Sequence, residues 1–178
     1  MTTDNKEIWI KTGYETFALC GQNSLKIEPL AKKVGISKSS FYHHFVDIEY
    51  FSETLFNYHL QMYSILAEKE RNCKSLHSEL IYVLLEHKLD LLFNRQLRIN
   101  RNDDKIIEVL IKSDKLLGNY AVMLWAKEIN LKLTKTQLES IFQIATDDFY
   151  MQINNDNLNY EYLTNYFLNL SGITRQFV

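Results

Sequence analysis

The densest collection of chemically able side chains lies between residues 34 and 45, "VGISKSSFYHHF". Lys38 offers a cation, Ser37, Ser39 and Ser40 short hydroxyls, and Tyr42, His43 and His44 rings with polar tips. Such groups donate to phosphate oxygens and to base edges. The adjacent histidines invite a metal, but neighbours on a helix point about 100° apart and cannot chelate one ion together. Elsewhere Glu86 and Asp90 stand four apart on an apolar segment and imitate a paired-carboxylate site; two acids at the surface or at a helix crossing are the plainer reading. His59, His77 and His87 each lack a partner at ligand spacing, which favours core or surface roles. Cys20 and Cys73 are too few for a disulfide framework or a four-thiolate zinc site, and Cys20 is expected to pack as a small hydrophobe near a helix end. No HExxH, Walker loop, GxGxxG or GxSxG occurs. No enzyme, cofactor or metal is expected; what remains is recognition.

Recognition by residues 34–45 needs elements that hold those groups outward. Five glycines and one proline in 178 residues are too few punctuators for a turn-rich β fold, so an all-α chain is expected. No apolar run approaches the roughly 20 residues of a membrane span, and "MTTDNKEIWI" lacks the basic start and apolar core of a secretory signal, which predicts a cytoplasmic, reduced protein away from membranes. A first helix is expected over about 4–19, with Ile10, Tyr14 and Phe17 on one face and Gly21 as its stop. A second covers 27–34, with Lys26 at its cap, Pro29 tolerated in its first turn and Gly35 ending it. Ser37 then caps a third over 38–44, and Asp47 caps a long fourth reaching about Lys69. Residues 76–97 read as one helix that is apolar nearly all round and therefore buried. Further helices are expected over 104–112 and 115–130, with Asp103 or Asp104 and Asp114 as caps. Two more follow over 137–154, with a Thr136–Glu139 capping box, and 159–174.

Two short helices parted by a glycine turn describe a helix-turn-helix, whose second helix lies in the major groove. Phe41 and Phe45, four apart, share the face that turns to the core. The opposite face carries Lys38, Ser39, Tyr42 and His43, with Ser40 and His44 toward the flanks. "SLKIEPLAKKVGISKSSFYHHF" resembles the signature of the TetR/AcrR family of bacterial transcriptional regulators. The matching positions are Leu30, Ala31, Gly35, Ile36, Ser37, Lys38, Tyr42, His44 and Phe45, and "WIKTGYETFALCGQ" fits the family's first helix through Phe17 and Gly21. The resemblance covers about residues 6–60. It implies a helix-turn-helix DNA-binding domain over 1–46 and a helical effector-binding and dimerisation domain over 47–178. The implied function is that of a repressor that holds a palindromic operator in double-stranded DNA as a homodimer and is released by a small-molecule effector.

On that basis Lys26, Ser37, Lys38, Ser39, Ser40, Tyr42, His43 and His44 are the expected DNA contacts. The aromatics and thioether of the second domain, Tyr58, Met62, Tyr82, Phe93, Tyr120 and Trp125, are candidates for an effector pocket, though rings of this kind also fill cores. Phe142, Phe149, Tyr162, Tyr166 and Phe167 give the last two helices more apolar surface than a peripheral hairpin needs. In the family the corresponding helices form a four-helix bundle with a second subunit. Net charge is −2, divided as +2 over residues 1–46 and −4 over the remainder. The family commonly has a hydroxyl where Leu25 and Lys26 stand, and a phosphate-reaching lysine where this chain has Ile48. Lys26 can replace one such contact, and a shallow salt dependence follows from the low basic charge. The alternative is a helical ligand-binding or protein-interaction module whose DNA-binding domain has decayed.

Overall fold

The computed structural model describes residues 5–130 and 134–174, and among these the chain is helical with no strand. The amino-terminal unit is α1 (Asn5–Cys20), α2 (Ile27–Val34) and α3 (Lys38–His44); the expected start at Asp4 lies outside the described residues. Gly35 closes α2 at φ 75°, a left-handed conformation that costs a glycine little, and α3 begins three residues later. Ser37 occupies the cap position of α3 but its hydroxyl bonds to the Ser39 hydroxyl at 2.8 Å instead of to the helix backbone. Asp47 caps α4 (Ile48–Asn72) by accepting from the Tyr50 amide.

Two close fits join the amino-terminal unit to the remainder. Where α1 crosses α4, Gly13 lies so near that a Cβ there would overlap the Phe51 ring. Around that crossing, Trp9, Phe41, Phe45 and Phe51 are buried at 0–1% exposure, with Phe41 edge-on to Trp9 and Phe51. Further along, α1 lies along α6 (Lys88–Ile99). There Phe93 stacks on Phe17 and Tyr14 with centroids at 4.2 and 4.4 Å.

The segment 76–97 is not one helix. A wide π-helical turn (Leu76–Leu80) opens into α5 (Ile81–Glu86), and the chain breaks at His87 before α6. Neither glycine nor proline marks that break; His87 adopts φ −98°, ψ 24° and its Nδ1 bonds to Asp90 Oδ2 at 2.7 Å. Next, α7 (Asp104–Leu117) is capped by Asp103 and ended by Gly118 at φ 65°, and α8 covers Tyr120–Glu128. Asp114 is thus not a cap but an interior residue of α7, where it receives Arg98 Nη2 at 2.5 Å. The capping box of α9 (Lys135–Gln152) is Thr134 with Gln137, two residues earlier than Thr136 with Glu139. Helix α10 (Tyr160–Thr174) completes the fold. Cys20 is exposed, so it does not serve as a packed hydrophobe.

Two buried polar clusters cross the helices. In the first, the Tyr14 hydroxyl donates to Asp90 Oδ1 at 2.7 Å and meets His59 Nδ1 at 2.8 Å, joining α1, α4 and α6. The single phenolic proton goes to Asp90, so His59 Nδ1–H is the donor to Tyr14. In the second, Arg98 reaches Asp114, Asp147 Oδ1 at 2.6 Å and Asn94 at 3.2 Å, and its guanidinium lies 4.7 Å from the Tyr150 ring centre. The Tyr150 hydroxyl is in turn bonded to that of Tyr63.

Candidate nucleic-acid interface and interior chamber

The seven-residue α3 stands on its two phenylalanines. With Phe41 and Phe45 at 0% and 1% exposure, the helix has one permitted orientation, and Lys38, Ser39, Tyr42 and His43 are left exposed. Tyr42 is the most protruding ring, at 58%. His44 is half-buried with its ring 6.1 Å from that of Phe45, so it flanks the face. Ser40 turns the other way and accepts a long hydrogen bond of 3.5 Å from Trp9 Nε1. Lys26 is exposed at the cap of α2. Of the eight expected contacts, Lys26, Ser37, Lys38, Ser39, Tyr42 and His43 are exposed and His44 is half-buried, while Ser40 bonds inward to Trp9.

Electrostatics temper this face. The Lys38 ammonium pairs with Glu28 of α2, and that pairing holds the Glu28 carboxyl below the usual range. A polyanion approaching α3 must take Lys38 away from Glu28. Val46 (77% exposed) and Tyr50, just beyond α3, extend the surface; apolar residues after a helix end carried no readable signal of this role in the sequence.

Farther along α4 lies a chamber of about 70 Å³, walled by Leu84, Leu91, Leu117, Phe142, Phe149, Tyr166 and Phe167 among others. Its acidic wall residue is Glu70, on the last turn of α4 and 4% exposed. Glu70 Oε2 has no hydrogen-bond partner. Burial pushes its carboxyl up to about 8, against a weaker pull downward from neighbouring Arg71.

None of the six expected pocket residues walls this chamber. Phe93 and Trp125 are core: Phe93 stacks among Tyr14, Phe17 and His59, and Trp125 donates to Ser171 at 2.8 Å. Tyr82 and Tyr120 are exposed, the first against Tyr160, the second beneath Arg71. Tyr58 and Met62 line a shallow groove beside Lys11, Glu15 and Glu86. The residues expected at a subunit seam are displaced in the opposite sense. Phe142, Phe149, Tyr166 and Phe167 face the chamber and Tyr162 is half-buried, its ring stacked on that of Tyr166. The exposed apolar residues of α9 and α10 include Ile144 (72% exposed), Met151, Leu168 and Ile173, of which Ile144 and Ile173 border a groove together with Ile141 and Leu170. Helix α9 carries two apolar stripes, and the aromatic one turns inward.

Among the described residues no group of three or more histidine, cysteine or acidic side chains is placed to hold a metal. No helix there is long and apolar enough to cross a membrane.

No protein-family model matches the sequence, and no curated protein matches it significantly. Over its length the chain is similar to a crystallised protein from Shewanella sp. PV-4 that is provisionally assigned to the tetR family of transcription regulators. The TM-score is 0.52 at 15% identity, with 96% of this chain and 98% of that one covered. At that identity the likeness establishes the fold: this chain is built like that regulator from its first helices to its last.

Proposed function

We propose that the protein is a DNA-binding transcriptional regulator, a repressor that holds a palindromic operator as a homodimer and lets go when a small effector binds. The carrying observation is the outward set on α3, Lys38, Ser39, Tyr42 and His43, fixed in direction by the burial of Phe41 and Phe45. Cation, hydroxyl, phenol and imidazole together serve phosphate and base-edge contacts. Residues 1–46 form the DNA-binding part and 47–178 the effector and dimerisation part in this reading. One helix of seven residues reads too few base pairs to be specific, whereas a two-fold pair reads half-sites about 34–36 Å apart. The Ile144–Ile173 surface of α9 and α10 supplies the apolar seam for such a pair.

The effector acts by favouring a separation of the two α3 helices that no longer matches successive major grooves. By linkage, operator must then weaken effector binding by the same factor. A mobility shift on the protein's own upstream DNA tests the reading. The parent should bind with salt-dependent affinity, and a folded, dimeric Lys38→Ala, Tyr42→Ala double variant should lose at least tenfold. Equal binding by parent and variant overturns it. Absence of binding by the parent favours a helical ligand-binding module with a decayed DNA-binding part, a reading to which the Glu28–Lys38 pair lends weight.

A further inference from the structure

We propose that the chamber binds a compact aliphatic amine, its ammonium held by the Glu70 carboxylate and its hydrocarbon packed among Leu84, Leu117, Phe142 and Phe149. The inference deepens the effector reading above and rests on it for the consequence at DNA, though not for the ligand's chemistry.

Buried polar groups are ordinarily bonded, and buried charges ordinarily paired. Five buried side-chain atoms among the described residues lack a partner, His59 Nε2, His87 Nε2, Arg95 Nε, Thr164 Oγ1 and Glu70 Oε2, and of these residues Glu70 alone stands in the chamber wall. The nearby cations are otherwise engaged. Arg98 is committed to Asp114, Asp147 and Asn94, and Arg71 lies over the Tyr120 ring at 5.7 Å. The phenols in the wall are also committed, Tyr150 to Tyr63 and Tyr166 to the Ala145 carbonyl at 2.8 Å. The chamber therefore presents one free acidic acceptor at an otherwise apolar, partly open pocket. Its position near the carboxy-terminal end of α4 adds the negative end of the helix dipole, which disfavours a second anion and favours a cation.

An ammonium brings three donors and the complementary charge. An alcohol brings one donor and no charge, and a carboxylic acid sets two acids against each other. Size sets the rest. A cavity of roughly 150 Å³ holds benzene, about 25 Å³ per heavy atom, so the 70 Å³ chamber admits about three heavy atoms, which is an alkylamine of about two carbons. An α,ω-diamine of equal length would press its second ammonium into the leucine and phenylalanine wall and is excluded. Glu70 also stands at the far end of the helix that begins directly after the α3 unit, so a ligand that draws Glu70 and α9 together acts on the connection to the proposed DNA face.

Calorimetry on the protein with ethylamine, ethanol and 1,2-diaminoethane provides the test. One equivalent of ethylamine should bind per chain at least tenfold more tightly than either of the others. Glu70→Gln should abolish the preference for amine over alcohol, and Ala121→Leu, which fills the chamber while leaving Glu70 in place, should abolish binding of both. If Glu70→Gln does not fold, the Ala121→Leu result and the amine-to-alcohol ratio of the parent still decide. Equal affinity for amine and alcohol, no binding of the amine, or binding unchanged by Ala121→Leu overturns the proposal. The same titration repeated with operator present separates the two readings. An amine that binds as described but with operator-independent affinity upholds the ligand class and removes the effector role.

Discussion

Besides the phenol of Tyr63, helix α4 carries a buried histidine and a buried glutamate roughly three turns apart, and these two are treated oppositely. His59, in the middle, is held by Tyr14, whose hydroxyl answers to Asp90, which also receives His87. Burial pushes the His59 imidazole down to about 3, so it is a neutral donor in a network spanning α1, α4 and α6. Glu70, near the end, is as deeply buried and has no such company; burial alone pushes it up to about 8. His59 Nε2 also lacks a partner, but its other nitrogen is bonded across helices and ties them together, whereas an acid with no such bond at a pocket wall is poised for something brought from outside. The contrast distinguishes a structural tie from a site without reference to residue type.

The largest test removes the hub of the tie. Asp90→Ala leaves Tyr14 and His87 without their acceptor, loosens the Tyr14 hydroxyl that holds His59, and should cost about 3–5 kcal/mol in denaturant unfolding. Next, Glu70→Gln removes an incomplete acid without creating a charge. At pH 9 it should raise stability by on the order of 4 kcal/mol and near pH 5 by much less, since one pKa unit corresponds to about 1.4 kcal/mol. The sign follows from the raised folded value: the parent's advantage is full below the ordinary carboxylate range near 4.5 and lost as pH climbs through about 8. His59 acts in the other direction. Its depressed value gives stability that is full above 6.5 and lost as pH falls from there toward 3, so the parent should be most stable between about pH 5 and 6.5 in thermal melts. A smaller loss, about 1–3 kcal/mol, is expected for Tyr14→Phe, which spares the ring stacking on Phe93 but strands His59 and one oxygen of Asp90. Least visible in stability is Glu28→Gln. It should leave the thermal midpoint unchanged while freeing Lys38, and mobility shifts should then show operator affinity rising several-fold.

Local signals were the legible ones. Gly35, Pro29 and Asp47 act on their own few neighbours, and α2, α3 and the start of α4 lie where those residues predict. The outward set on α3 was legible for the same reason, because a four-residue spacing of phenylalanines decides a helix's orientation. Ser40 escaped because its partner, Trp9, is 31 positions away. The tie was illegible because Tyr14 and Asp90 are 76 positions apart and nothing local distinguishes a tyrosine with a partner from one without. The break at His87 carried no breaker residue, and Asp114 looked like a cap because aspartate suits that role equally well. The lining of the chamber was illegible because α9 is apolar on two sides. Aromatic residues gave no sign of facing inward, and the smaller Ile144 and Ile173 gave none of facing out. Glu70 looked like any acid among the charges that close α4, and only its depth sets it apart.

The near-contact of α1 and α4 at Gly13 has a mechanical corollary. With no clearance for a side chain there, and with Tyr14 fastened one residue on, the amino-terminal unit has no slack in which to swivel against the remainder of the chain. Each molecule turns as one piece, so two copies joined along α9 and α10 would alter the distance between their α3 helices by rocking about their common seam.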